Sequence, residues 1–386
     1  MLEQVKKKIA VICSSRATYG YKRRIIDLIR KSDKLELQLI VTGMHLLKEY
    51  GYSVRDIEAD GFPISVRLAM AVESDTPPAW AEALGNQMSN LSKVFERLKP
   101  DIVLVTGDRA EMFIAAATAA YMNIAVAHIQ AGDVSGHIDG VVRHAITKLA
   151  HLHFPACRDS AERVKKLGEE EWRIFTVGAP QLDDIVQGER MSKEELQNIF
   201  GFDFNKPVIL VLFHPVLTEY EESGRQMEEI MGAVKKTGEQ TIVIFPNIDA
   251  GNYKIIEVAE KYATTPFIKI FRNINRQVFI SLMANAAVLV GNSSAGILEA
   301  PSLKLAAVNV GDRQRGRLQA DNVINVGYSK EEIFRAIKKA LTDKNFKTRL
   351  RKCVNPYGDG HSSERIVKIL ENIKIDKKLL DKKITY

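Results

Sequence analysis

The stretch DIVLVTGDRAEMFIAAATAAYMNIAVAHIQAGD (101–133) decides the fold. Its two apolar runs, 101–107 and 124–130, carry Val, Ile and Ala with little alternation, as strands covered on both faces do. Between them, 109–121 has the length and spacing of a helix. Strand, helix and strand in that order make a βαβ unit and a parallel sheet.

The same alternation repeats outward. Further strands are predicted at 7–14, 36–43, 151–157 and 173–178, then at 208–214, 241–246, 267–271, 286–291 and 305–310. Segments 20–32, 78–98 and 277–285 suit crossover helices. The series breaks between about 180 and 205, where Ser192 followed by Glu194 and Glu195 opens a helix in a polar stretch. The fold class read here is α/β: two Rossmann-like doubly wound domains, 1–185 and 186–360, facing each other across a cleft. A chain of 386 residues suits two domains.

Polar residues recur directly after the apolar runs. They are Ser14-Ser15-Arg16, Thr42-Gly43-Met44-His45, Gly107-Asp108-Arg109, Gln130-Ala131-Gly132-Asp133, His214-Pro215, Pro246-Asn247 and Asn292-Ser293-Ser294. Ligands of open α/β sheets bind outside the carboxyl ends of strands. Such residues are also ordinary turn-formers; their recurrence in both halves is what points to a site.

Composition excludes several classes. Hydrophobic residues at 46% and charged residues at 27% describe a globular chain. No apolar run reaches the roughly 18–20 residues that span a bilayer. The N-terminal apolar run reads as a first strand rather than a signal peptide, because no cleavage pattern follows. The net charge of +7 is swelled by five lysines after residue 373 (Lys374, Lys377, Lys378, Lys382, Lys383). Without interleaved aromatics these read as a solvated helical end, not as a nucleic-acid or membrane-binding tail. Cys13, Cys157 and Cys353 lie far apart, which predicts free thiols and a reducing, cytoplasmic compartment.

Two motifs carry chemistry. GNSSAGILEAP (291–301) ends a strand and opens a helix near Ala295. Small hydroxyls and backbone N–H groups there suit a phosphate, and a serine there suits a plain N-cap equally well. The segment is neither a P-loop nor a nucleophile elbow, and the chain has no G-x-G-x-x-G. HIQAGDVSGHIDGVVRHAITK (128–148) follows a strand and enters a helix near Val141. It holds Asp133, His137, Asp139, Arg143 and His144. Five of the eight histidines fall between 128 and 153, without metal-ligand spacing. Asp133 and Asp139 can serve as loop and cap residues, or can join Asp108 as acid–base carboxylates.

At these segments the chain resembles the UDP-N-acetylglucosamine 2-epimerases, in particular their hydrolysing branch, which serves sialic- and legionaminic-acid-type synthesis. The matching stretches are SSRATYG (14–20), VTGMH (41–45), GDRAE (107–111), HIQAGDVSGHIDGVVRHAITKLAHLHF (128–154), VGAPQLD (177–183), FHPV (213–216), FPNIDAG (245–251), GNSSAGILEAP (291–301), NVGDRQRGR (309–317) and NPYGDG (355–360). They keep family order over nearly the whole length. The resemblance implies a glycosyltransferase-B-like fold, with a C-terminal helix about 361–386 completing the first domain. It implies loss of the C2 proton and of UDP, formation of a 2-acetamidoglycal, and addition of water. By the same match, Asp108 and Asp139 are acid–base candidates. Ser293, with Ser294 beside it, and Glu299 face the diphosphate and ribose, and His214 the phosphates. Arg16 matches the first-loop arginine; Asn247, Asp249, Arg313 and Arg317 line the nucleotide. His45, Glu111 and Arg143, inside matching stretches, join them on the substrate side. The resemblance implies no cofactor, no metal, a UDP-sugar partner, and a homodimer or homotetramer.

One departure stands out. Where the family's loop reads H-x-E, this chain has Gln130, and an amide cannot carry a proton. Asp133 takes that role, or the substrate or the order of proton transfers differs, or activity is weak or absent. Glu73 to Pro77 and Gln130 are candidate marks of a 2,4-diacetamido variant. A non-hydrolysing epimerase, a glycosyltransferase and a non-catalytic sugar-nucleotide binder are the alternatives.

Overall fold

All twelve strands among the described residues run parallel within two six-stranded sheets. The computed structural model describes residues 5–47, 52–70, 77–134, 137–246 and 251–386; of residues 16, 17, 77, 137–139 and 217 it describes the backbone alone. The chain forms two units, 1–184 with 357–386, and 185–356.

The first unit holds β1 (Lys7–Cys13), β2 (Leu35–Thr42), β3 (Ile64–Leu68), β4 (Ile102–Thr106), β5 (Ala125–Ile129) and β6 (Leu152–Phe154), in the order β3-β2-β1-β4-β5-β6. The second holds β7 (Val208–Leu212), β8 (Gln240–Ile244), β9 (Ile268–Phe271), β10 (Val288–Gly291), β11 (Ala306–Val310) and β12 (Val323–Val326), in the order β12-β11-β10-β7-β8-β9. Both orders reverse once, at β1/β4 and at β7/β10. Those switch points are where open α/β sheets take ligands.

Two-sided burial explains the apolar runs. Ile9 and Val11 pack with Ile25, Ile26 and Ile29 of helix Arg16–Lys31. Ala10 and Ile12 face the other way, toward Phe95 and Met112. Each buried Ile or Val contributes about 1.5–3 kcal/mol. The edge strands β3 and β12 escape the sequence reading because they are short and only partly buried. The strand predicted at 173–178 is instead an extended segment with one isolated bridge, His153 to Ile174.

The helix read as opening at Ser192 does so, and the structure adds a capping box in which Glu195 returns the hydrogen bond. The C-terminal helix is shorter than expected. It runs Ser362–Asn372, and only a single turn, Lys377–Leu380, follows. Asp183 accepts from the Ser362 and Ser363 N–H groups at its start, at 3.0 and 2.6 Å. At its end the Lys7 ammonium holds the carbonyls of Leu370, Glu371 and Ile373.

The basic end is not uniformly solvated. Lys377 is exposed, but Lys382 donates to the Thr147 and Lys148 carbonyls and pairs with Glu169 at 2.6 Å. Arg173, fully buried, donates to the carbonyls of Lys378 and Leu379. Glu169 also meets His153 and Lys148, each at 2.9 Å. Burial alone would raise the Glu169 carboxyl; His153 and Lys382 hold it down to about 2. A carboxylate depressed on folding stabilises above its unfolded value and loses that contribution as pH falls toward the folded one. Unfolding midpoints of the wild type should therefore drop between about pH 4.5 and 2. Glu169→Gln should flatten that window and cost about 3–5 kcal/mol at neutral pH, since it leaves the largely buried Lys382 ammonium without its carboxylate. Denaturant melts at several pH values check both. Among the described residues no helix is long and apolar enough to cross a membrane.

Candidate active site

In the first unit the carboxyl ends of β4 and β5 lie side by side. Asp108 follows β4 and ion-pairs with Arg143, which projects from helix His137–Leu149. The same guanidinium donates to the Gln130 carbonyl at 2.9 Å, after β5. Arg143 thus fastens two neighbouring strand ends, with its own side chain largely buried and the Asp108 carboxylate partly open. The helix starts at His137, one turn earlier than the sequence reading placed it, so Asp139 lies on its first turn. The Asp139 side chain is outside the described residues.

Gln130 adopts φ 62°, a left-handed backbone that costs a non-glycine residue energy and clusters at functional turns. Its amide is buried and donates to Gln181 Oε1 at 3.5 Å. Three residues on, the Asp133 carboxylate accepts from the Ser160 hydroxyl at 2.6 Å. Gly132 between them has φ 75°, and a Cβ there would overlap the Ser160 carbonyl, so only glycine fits.

Three histidines of this region, His128, His151 and His153, hold structural hydrogen bonds. His128 donates to the Gly107 carbonyl at 2.8 Å, and burial pushes it down to about 3, so it is neutral at pH 7. His151 Nδ1 accepts from the Val126 N–H, and burial takes it to about 4. His153 serves Glu169. Among the described residues no group of three or more His, Cys, Asp or Glu could hold a metal ion.

Five expected substrate contacts need correction or fall outside the described residues. His45 is fully enclosed, bonded through Nδ1 to Ser53 at 2.8 Å and packed edge-on against Tyr19. Burial and Lys22 lower it to about 4. It braces the loop after β2 and presents no ring to a ligand. Glu111 is turned inward and pairs with Arg109 at 3.1 Å. A Cβ on Gly43 would lie 2.9 Å from its Oε1, which shows how closely the loop covers it. Asn247 and Asp249 lie outside the described residues, as do residues 73–76; the side chain of Arg16 does too. The backbone of Arg16 opens its helix, capped by Ser15 in a box with Thr18.

In the second unit Asn292 ties the two strand ends at the switch point. It accepts from the His214 N–H at 2.7 Å and donates back to the His214 carbonyl at 2.8 Å. Its own carbonyl accepts from Arg313 at 3.1 Å and Gln314 at 2.8 Å. Gly291 sits so close to the Leu212 carbonyl that a Cβ would overlap it. Burial and the nearby Arg313 push His214 down to about 3, leaving a neutral imidazole. Ser293 accepts from the Ala295 N–H at 3.3 Å, a local turn bond one residue ahead of the cap, and no serine side chain caps the helix in the N-cap manner. The helix it precedes is a single turn, Ala295–Leu298, with Ser294 at its cap. Glu299 follows and pairs with Arg276 at 2.8 Å. Arg317 closes the 312–317 turn through its N–H to the Gln314 carbonyl. Gln314, Gln181 and Ser160 were not singled out as functional from sequence, and Asn292 was noted only as one of the polar residues that follow apolar runs. Buried polar side chains beside strand ends carry no local pattern.

Comparison with known proteins accounts for this layout. The UDP-N-acetylglucosamine 2-epimerase family model matches residues 27–371. A UDP-N,N'-diacetylbacillosamine 2-epimerase (hydrolyzing) of Legionella pneumophila is 38% identical over 97% of this chain and 98% of its own. A UDP-N-acetylglucosamine 2-epimerase of Neisseria meningitidis is 32% identical over 95% of each chain. A crystal structure of UDP-GlcNAc 2-epimerase from Neisseria meningitidis, bound to UDP-GlcNAc, superposes with TM-score 0.79 at 19% identity, covering 94% of this chain and 99% of that one. The fold is therefore the two-domain, glycosyltransferase-B-like α/β arrangement expected. With a match that spans both sheets and most of the length, this chain belongs to the UDP-N-acetylglucosamine 2-epimerase family.

Proposed function

We propose that this chain is a hydrolysing 2-epimerase that converts a UDP-linked 2-acetamido sugar into the free 2-epimer and UDP. The 38% identity to a hydrolysing diacetylbacillosamine epimerase favours a 2,4-diacetamido substrate over the simpler acetylglucosamine. One structural observation carries the chemistry: Asp108 and Asp133 stand at adjacent strand ends in different settings. One is paired with a guanidinium, the other with a hydroxyl. Carboxylates held in unlike environments divide acid and base roles.

In this reading one carboxylate of the set Asp108, Asp133 and Asp139 takes the proton from C2 as UDP leaves C1. Another guides water to C1 of the glycal and returns a proton to C2. His214, Ser293, Ser294, Glu299, Arg313 and Arg317 hold the nucleoside diphosphate, joined by Arg16, Asn247 and Asp249. Arginine suits bidentate phosphate contacts. Arg143 orients Asp108 and the Gln130 turn. The reaction needs no metal or cofactor, and the enzyme works as a cytoplasmic homo-oligomer.

The test is turnover in deuterated water with UDP-linked mono- and diacetamido sugars. UDP release with deuterium at C2 of the freed sugar is the expected result. Binding without release would leave only a sugar-nucleotide sensor. Release that needs an added acceptor would mean a transferase.

Gln130→Glu separates a structural amide from a lost proton carrier. The side chain is buried and lies beside Gly107 and Gln181. A second carboxylate there meets a desolvation penalty and repels Asp108. Activity should fall by about tenfold, a cost near 1.4 kcal/mol. A rise would show that glutamine replaces a working acid–base group.

A further inference from the structure

The Ser160 hydroxyl has one proton to give. It gives it to Asp133 Oδ1, at 2.6 Å. Its oxygen remains an acceptor, and Cys157 Sγ stands 3.3 Å away as the available donor. Both residues are almost fully buried. A line of hydrogen bonds therefore runs one way, from thiol to hydroxyl to carboxylate.

The geometry of this line is enforced from several sides. Cys157 precedes helix Arg158–Lys166, and Ser160 lies in its first turn. Gly132 packs directly on the Ser160 carbonyl, where no side chain fits. Arg163, one turn on, donates to the Gly132 carbonyl at 2.9 Å. The helix start and the 130–133 turn are thus held together, which keeps the Ser160 Cβ beside the Asp133 carboxylate.

We propose that Ser160 is a positioning residue for the reaction: it fixes the rotamer of Asp133 and holds its charged form, with Cys157 as the donor behind it. This rests on the reading of Asp133 as a proton carrier. No proton is passed along the line. Each hydrogen stays on its own atom, and only the orientation and charge of the carboxylate are set. The charged and titratable groups around the turn are Arg163 with its partner Asp159 on the same helix, Arg143 on helix His137–Leu149, His144 on that helix, which burial and the two arginines hold below its ordinary value, and Asp108 after β4. Substituting Ser160 or Cys157 leaves all of them in place.

A hydrogen bond to the ionised form favours that form. Ser160→Ala should move the limb of the kcat–pH profile that belongs to Asp133 upward by about one unit, with little change in KM. Cys157→Ala should move it the same way by less, and Ser160→Thr, which keeps the hydroxyl, should retain the wild-type profile. The measurement is UDP release from a UDP-linked acetamido sugar across pH, alongside Asp133→Asn. A loss in Ser160→Ala that is equal at every pH, or a threonine that behaves as alanine, overturns the proposal. So does an unmoved limb in Ser160→Ala while Asp133→Asn is inactive. An active Asp133→Asn instead removes the underlying reading, and the two failures are told apart.

Discussion

Asp108→Asn is expected to lower kcat by about 10²–10⁴, the range associated with one acid–base group, while leaving UDP affinity nearly unchanged. The amide keeps the size of the side chain and an oxygen for Arg143, so the ion pair becomes an ordinary hydrogen bond. What is lost is the ability to take or give a proton. The Arg143 bond to the Gln130 carbonyl survives, so the turn that leads to Asp133 should stay in place. Single-turnover release of UDP, with calorimetric titration of UDP itself, measures both quantities. If affinity for UDP fell in step with kcat, Asp108 would belong to the nucleotide end, and its assignment to the sugar would be wrong.

The sheets were legible in sequence wherever burial was two-sided. Ile9 to Cys13 are enclosed on both faces, and a run of apolar residues was enough to place β1. β3 and β12 were not legible, because an edge strand with one open face need not be apolar. The tail was misread for a related reason. Lysines look solvated in sequence, and only the position of Glu169, more than two hundred residues earlier, makes Lys382 a buried partner. The strand-end position of Asp108 was readable because it follows an apolar run within a matching motif. His45 and Glu111 share such motifs, yet their side chains point inward. A motif fixes the backbone location of a residue, while packing decides which way it faces. Ser160 and Asn292 show the converse. Their roles come from backbone and carboxylate partners distant in sequence, to which no local pattern refers.

Asn292→Asp should do the reverse of Asp108→Asn and weaken nucleotide binding first. The wild-type amide gives one donor and one acceptor to His214, and both are needed. An aspartate keeps the acceptor but sets an anionic oxygen against the His214 carbonyl. Burial already disfavours a protonated His214, so that ring brings no compensating charge. The Asn292 carbonyl also anchors Arg313 and Gln314, so a shift of this residue disturbs the arginine proposed to meet the diphosphate. A new negative charge next to the proposed phosphate site adds repulsion. Losing one charge-assisted hydrogen bond costs about 1.5–3 kcal/mol, and each 1.4 kcal/mol is tenfold in affinity, so UDP should bind about 10- to 100-fold more weakly. Thermal unfolding should fall as well, because a buried carbonyl loses its donor. Titration of UDP into Asn292→Asp and Asp108→Asn side by side gives opposite patterns if the second unit holds the nucleotide and the first acts on the sugar. Equal weakening of UDP in both variants would mean that one unit holds the whole ligand, and the division of labour between the two sheets would fall with it.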